Sequence, residues 1–487
     1  MTEPRSVQGY IDQTPAWPDG TPTPTVPLTR MQWRIWLLAT AGKFFEGLVV
    51  FMTGVALPLI VKEYDLSSLE KGLVGAAPLA GIMVGAIALG GLADTYGRRF
   101  MFVLEMLVFV VFLVGLAVAP GFGWLVFFLF GVGVALGCDY PTAHLVISES
   151  IPSRDRGRLV LGAFAFQAIG ALVGTAVGYA ILAHSPQLDA WRWMYATAIV
   201  PAALVVIGRL FITDSGQWLM ARGRRHDAER ELQRLLEREP QYPKQVHLAD
   251  TVDPDSALHS PAARRGRWRD LFNRKNRRAT ILASVPWFLQ DLGTYGIGLF
   301  TPLILVQTIG HEITSAQTVA GVIARDIEAA KGAVLVDIFL VVGILAAVVL
   351  TDRIGRIRLQ VLGFIGCAVG LALAAMQAHT QEPARTLLLF GGFMIFNFMT
   401  NIGPNAQTYL LAGEVFPTNI RGKGAGFAAA FAKLGAVIAA FAFPLVLYHT
   451  GTDFLLAGLV LTSLLGALVT WWFRIETKGV NLEEIGR

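Results

Sequence analysis

The chain has 487 residues, 54% of them hydrophobic and only 15% charged, with a mean hydropathy of +0.55. A soluble domain carries about 25% charged residues, so this composition excludes an ordinary water-soluble enzyme or binding domain. The net charge of +5 sits mainly in short loops between apolar blocks, a pattern that points to a membrane protein with basic loops on one side and not to a nucleic-acid partner.

In chain order, residues 1–32 form a polar, Pro-rich tail with no charged region followed by an apolar core. They read as a disordered cytoplasmic segment rather than a cleaved leader. Apolar blocks follow at 33–61, 70–93, 99–119, 122–149, 157–184 and 191–213. Six more lie at 278–307, 331–353, 357–378, 384–412, 421–449 and 452–474. A helix crosses the hydrocarbon in about 20 residues, and only intrahelical hydrogen bonding satisfies such a backbone in lipid. The expected fold is therefore an all-α membrane protein of twelve spanning helices in two six-helix bundles, 33–213 and 278–474. A central loop at 214–277 separates them, and 475–487 forms a tail. Within the loop, Asp227–Glu237 gathers Leu232, Leu235 and Leu236 on one side, as a surface amphipathic helix does, and 248–262 reads as linker. Arg98, Arg99, Arg154, Arg156, Arg158, Arg353, Arg356, Arg358, Arg421 and Lys423 fall on one side with both termini. That side is expected to be the cytoplasm of a cell membrane. Cys138 and Cys367 stand in apolar segments and read as packing residues. No phosphate-binding Gly-rich loop, metal-ligand spacing or Ser/His/Asp set is present, so neither enzyme activity nor a cofactor is expected, and a monomer is.

The two halves repeat. Gly91-Leu92-Ala93-Asp94-Thr95-Tyr96-Gly97-Arg98-Arg99 follows the second block, and Val349-Leu350-Thr351-Asp352-Arg353-Ile354-Gly355-Arg356 follows the eighth. Glu149-x-x-Pro152-x-x-x-Arg156-Gly157 ends the fourth block, and Glu414-x-x-Pro417-x-x-x-Arg421-Gly422 ends the tenth. Gly permits a tight turn. Asp94, Arg98, Arg99, Glu149, Arg156, Asp352, Arg356, Glu414 and Arg421 can form charge-assisted latches between helix ends, and these are expected to act in gating. A duplicated bundle places its solute site near the midplane between the repeats.

A charge in hydrocarbon costs about 2.5–3.5 kcal/mol on insertion scales, so Lys43, Glu46, Asp139, Asp291 and Lys433 are candidates for function. Lys43 and Glu46, three apart on one helix, can neutralise each other. Trp287, Asp291 and Tyr295 recur every four residues and share one helical stripe. Gln167, Tyr140 and Asn405 add neutral polar groups, the last after the Gly403-Pro404 break. His144 reads as a packing or loop-end histidine. Lys433 has no evident fixed partner, which favours an anionic solute over a sugar.

The two repeated motifs, with the tail Glu476-Thr477-Lys478-Gly479, resemble the major facilitator superfamily in its sugar-porter-like branch, over nearly all of 33–487. Gly137-Cys138-Asp139-Tyr140-Pro141, Trp287-x-x-x-Asp291-x-x-x-Tyr295, Gly403-Pro404-Asn405 and Lys433 are most similar to the phosphate:proton symporter family. The resemblance implies that Tyr140, Gln167, Trp287, Tyr295 and Asn405 contact phosphate beside Lys433. It further implies that Glu46, Asp139 and Asp291 handle protons, with Asp291 touching both. The chain departs from that family where a second acid is usual in the first span: Glu46-Gly47-Leu48-Val49 carries one, and Lys43 is extra. A proton-coupled sugar or organic-acid porter and a transporter-like nutrient receptor are the alternative functions.

Overall fold

The computed structural model describes residues 6–13, 28–89, 92–237, 246–248, 267–309, 319–417 and 420–478. The long helices are α1 Arg30–Tyr64, α2 Ser68–Val84, α3 Arg98–Ala117, α4 Phe122–Ser150, α5 Ser153–His184 and α6 Ala190–Arg209, then α7 Arg277–Ile309, α8 Val319–Ile354 and α9 Arg356–Ala375. α10 Ala384–Thr400 continues through a π turn, Asn401–Asn405, into Ala406–Glu414. The long run Arg421–Trp472 is interrupted at Gly451, whose φ of 81° is not helical. Its arms, 421–450 and 452–472, are α11 and α12, and they complete two sets of six.

Among the described residues, ten helices are long and apolar enough to cross a membrane, with α11 and α12 counted as one. α7, which is not among the ten, carries Gln290, Asp291, Thr294 and Tyr295 in its middle. All four are buried, so the helix meets lipid with its other faces. α8 begins at Val319, before the expected 331. Arg325, Asp326, Glu328 and Lys331 interrupt the apolar run without interrupting the helix, since all four are acceptable helix formers.

Two parts of the expected soluble regions turn out to be built. Residues Val7–Asp12 form a short helix whose Tyr10 and Ile11 are buried with Leu219, Leu232 and Leu236 in one apolar cluster. Asp12 accepts hydrogen bonds from the backbone and hydroxyl of Ser153, at 2.7 and 2.8 Å, at the start of α5. The apolar face of helix Arg225–Leu236 is therefore covered by protein rather than laid on a membrane surface. The 249–262 linker and the rest of the N-terminal tail, 1–5 and 14–27, lie outside the described residues.

Gly97 and Gly355 occupy matching places before α3 and α9, with φ of 108° and 102° and ψ of 150° and 154°. This region is open essentially to glycine alone. Each turn throws an arginine back onto the end of α4 or α10. Arg98 makes a two-bond contact to Glu149, at 3.0 and 3.2 Å, and reaches the Ala93 carbonyl. Arg356 contacts Glu414 at 3.3 Å and Asp352 at 2.8 Å. Both latches stay within one half, so they fix the terminal-side ends of neighbouring helices and do not bridge the two bundles. Arg99 binds the Leu210 carbonyl, and Arg421 donates to the Phe416 carbonyl. Arg156 aims a buried Nε at no acceptor among the described residues. The side chain of Asp94 lies outside the described residues.

Gly97→Ala and Gly355→Ala should each cost about 1–3 kcal/mol, seen as a lowered thermal unfolding midpoint in detergent. Gly413→Ala, on a helix with open space beside it, should leave the midpoint unchanged; equal effects at all three positions would contradict this account.

Candidate functional site

Small residues set the site. Gly47 of α1 meets the backbone of Gln167 in α5 so closely that an added Cβ would lie 2.0 Å from its carbonyl oxygen. Close approach of this kind is how helices pack where no hydrophobic force separates protein from lipid. It brings Gln167 beside Glu46, one residue before that glycine. α7 and α11 pack along each other from the opposite half and supply Asp291, Tyr295 and Lys433.

These side chains form one network. Lys433 Nζ lies 3.1 Å from Glu46 Oε1, 3.3 Å from Asp291 Oδ2 and 2.6 Å from the Tyr295 hydroxyl. The Tyr295 hydroxyl donates to Glu46 Oε1 at 2.8 Å and accepts from Gln167 Nε2 at 2.9 Å. Lys43 holds the other oxygen, Glu46 Oε2, at 2.6 Å. Lys433 also sits 4.3 Å from the centroid of the Tyr295 ring, a cation–π contact. Glu46, Asp291 and Lys433 are all buried. Two cations and two carboxylates cancel to zero, which is the condition for holding four ionisable groups out of water.

A cavity adjoins this network, lined by Lys43, Gln167, Trp287, Asp291, Tyr295, Asn405 and Lys433 among others. The structure thus brings together six of the seven residues expected to bind the solute. The seventh, Tyr140, has a side chain outside the described residues. Asn405 reaches the cavity because the π turn around Pro404 rotates it inward, where it donates to Asn401 at 2.7 Å. On the side bearing the termini, Tyr409 of α10 stacks on Phe164 of α5 at 4.5 Å and meets Trp287 edge-on. Those rings, joining both halves, separate the first cavity from a second one lined by Lys43, Glu46, Asp139 and His144. The opposite side is closed by backbone packing: Gly54 of α1 lies on Leu299 of α7, and Gly72 of α2 on Phe441 of α11.

Two expectations need correcting. Lys433 is not a cation waiting for a partner, since both carboxylates and Tyr295 already hold it. Asp139 does not join Asp291 and Lys433. It is ion-paired at 2.5 Å with Arg209, a fully buried residue at the end of α6, and Arg209 also lies 3.6 Å from Glu105 of α3. Arg209 is further held by the Phe102 and Leu38 carbonyls and by the Phe102 ring. One arginine facing two carboxylates leaves a net charge of −1, which a single proton cancels. The sequence signal for Glu105, Arg209 and Asp337 was the same one used for the other acids, an ionisable residue inside an apolar block. Each stands near a block end or alone in a strongly apolar run, which hid it. Asp326 is also buried, with neither oxygen bonded among the described residues.

Among known proteins, the signature of the family described as Sugar (and other) transporter matches residues 35–487. The niacin transporter NiaP of Acinetobacter baylyi is 27% identical over 470 residues, covering 95% of this chain and 98% of that one. The Probable inorganic phosphate transporter 1-8 of Arabidopsis thaliana is 26% identical over 509 residues, covering 94% and 92%. The xylose transporter XylE from E. coli, in a partially occluded inward open conformation, superposes with a TM-score of 0.73 at 22% identity, covering 93% and 100%.

Removing Arg209 alone leaves two buried carboxylates unpaired, so Arg209→Met should cost about 3–5 kcal/mol, read as a drop in thermal midpoint. Adding Asp139→Asn and Glu105→Gln to that variant should recover most of the loss. A midpoint that ignores Arg209→Met would refute the assignment.

Proposed function

This chain belongs to the sugar (and other) transporter family, so it is a membrane transporter and not an enzyme, and we propose that it is a proton-coupled importer of a small anion, with inorganic phosphate as the first choice. The observation that carries this reading is the charge balance around Lys433. In the closed state its ammonium is neutralised by Glu46 and Asp291. An incoming anion can take Lys433 only if those carboxylates give up their negative charge, and protons do that. Anion and protons therefore enter together, and neither alone leaves the buried cluster neutral.

The direction of the cycle follows from sidedness. The basic, terminal side is assigned to the cytoplasm of the cell membrane. Protons arriving from outside convert Glu46 or Asp291 to the neutral form and release Lys433. The anion is then held by Lys433, Tyr295, Gln167, Trp287 and Asn405, which between them offer ammonium, hydroxyl, amide and indole donors. Packing of α1 on α7 and of α2 on α11 closes the outer side. Parting of Tyr409 from Phe164 opens the inner one, and proton loss to the cytoplasm returns Lys433 to its carboxylates and expels the anion. The intra-half latches of Arg98 and Arg356 keep each bundle rigid while the bundles rock. Asp139 borders the inner cavity, and the proton it shares with Glu105 beside Arg209 can leave there.

A second reading has its own support. The first cavity has Phe164 and Trp287 in its walls, surfaces that suit a flat aromatic acid, and the relative named for niacin carries one. A neutral sugar would leave nothing to replace Glu46 and Asp291 as counter-ions to Lys433. A receptor that binds without transporting would show binding and no flux.

In proteoliposomes, an inward proton gradient should drive uptake of labelled phosphate, with unlabelled phosphate competing and glucose not. Asp291→Asn and Lys433→Met should each lower gradient-driven uptake by at least about tenfold, the scale of one lost charged contact. Competition by nicotinate rather than phosphate selects the second reading; competition by glucose, or full acid stimulation in Asp291→Asn, overturns the proposal.

A further inference from the structure

Asp337 lies halfway along α8, buried, at the contact between α8 and α5 that joins the two halves. Neither the mechanism above nor any repeated motif uses it. Thr175 of α5, about two-thirds of the way from the cytoplasmic end of that helix, places its hydroxyl 2.7 Å from Asp337 Oδ2. Asn397 of α10 donates to the other oxygen, Oδ1, at 3.3 Å. These two neutral groups are the hydrogen-bond partners of the carboxyl among the described residues. Ionisable residues do stand on helices packed around it: Lys43 and Glu46 on α1, Arg158, Tyr179 and His184 on α5, Asp291 and Tyr295 on α7, Arg385, Tyr409 and Glu414 on α10, and Asp326, Glu328 and Lys331 on α8 itself. Among the described residues none of these is hydrogen-bonded or ion-paired to Asp337.

The Thr175 hydroxyl lies within bonding distance of two oxygens, Asp337 Oδ2 at 2.7 Å and the Ala171 carbonyl at 3.1 Å. A threonine hydroxyl has one hydrogen and can accept another bond. If it donates to Ala171, as helix threonines do, the short contact to Asp337 needs a hydrogen from the acid. A protonated Asp337 donates to Thr175, which donates to Ala171, and Asn397 still finds a carbonyl-type oxygen to donate to. Every atom is then satisfied with no net charge in the membrane interior. An ionised Asp337 would stand there with no ion-pair partner among the described residues.

We propose that Asp337 is a proton-binding site on the seam between the halves, and that the outer side closes only when this acid carries its proton. The proton would come from the outside while the seam is parted, and bonding to Thr175 would hold it as the seam shuts. The closed state binds the proton more tightly than the open one, so lower pH favours outer closure and higher pH releases it. This does not require a particular solute, so it can stand if the anion assignment fails.

The test is the distance between spin labels on Gly121→Cys, in the half-buried turn before α4, and His449→Cys, at the exposed outer end of α11, with Cys138 and Cys367 replaced by alanine and no solute present. The distance should lengthen as pH rises. Asp337→Asn, which keeps the size and donates without titrating, should hold the short distance at every pH. Thr175→Val should favour the long one. Asp189→Asn and Asp453→Asn, exposed acids outside the central cluster, serve as controls and should keep the pH response. No pH response in the parent protein, or one that survives Asp337→Asn, overturns the proposal. A response abolished by Asp291→Asn and Glu46→Gln but not by Asp337→Asn would assign closure to the central cluster instead.

Discussion

Four charges in a water-poor interior must sum to zero, and the contact of Lys433 with Glu46 and Asp291 is how this protein meets that condition. Tyr295 sits at the centre, accepting from Lys433 and Gln167 and donating to Glu46. Three of these groups come from the second half and two from the first, so the network is also a bond between bundles. Any solute that disturbs it changes both the local charge and the fit of the two halves. In the proposed cycle, that double dependence links binding to rocking.

The architecture around the network is arranged to keep it tight yet breakable. Close helix crossings at glycine position α1 against α5 and seal the side away from the termini, while aromatic side chains of Phe164, Tyr409 and Trp287 shut the side bearing them. Backbone packing resists sliding, whereas stacked rings separate by rotation of side chains. The side bearing the termini is thus the more easily parted of the two. Within each half, Gly97 with Arg98 and Gly355 with Arg356 tie helix ends together, while Asp337, Thr175 and Asn397 lie on the seam between the halves.

Much of this was legible in the residues. Apolar blocks located the helices because lipid imposes one length and one hydrogen-bonding solution. The duplicated Asp-Gly-Arg turns and Glu-Pro-Arg-Gly ends exposed the repeat, and the four-residue spacing of Trp287, Asp291 and Tyr295 put them on one face. What stayed hidden depends on contacts between distant segments. Nothing in the neighbourhood of Lys433 foretells Glu46, 387 positions away. Asp139 read as a proton-handling acid alongside Glu46 and Asp291, yet the Arg209 that claims it comes from a helix end. Asp337 vanished in a long apolar run, because a lone acid carries no spacing signal. The N-terminal helix went unseen because a Pro-rich, polar segment with three apolar side chains buries them only against the central loop.

The most direct test of the account is proton uptake on binding. Phosphate is mixed with the purified protein in weakly buffered detergent solution while a dye reports pH. The account predicts that protons are taken from solution with each anion bound, and that this uptake disappears, with binding retained, when Glu46 and Asp291 both become amides. Binding with no pH change in the parent protein, or the same change in the double amide variant, would contradict it.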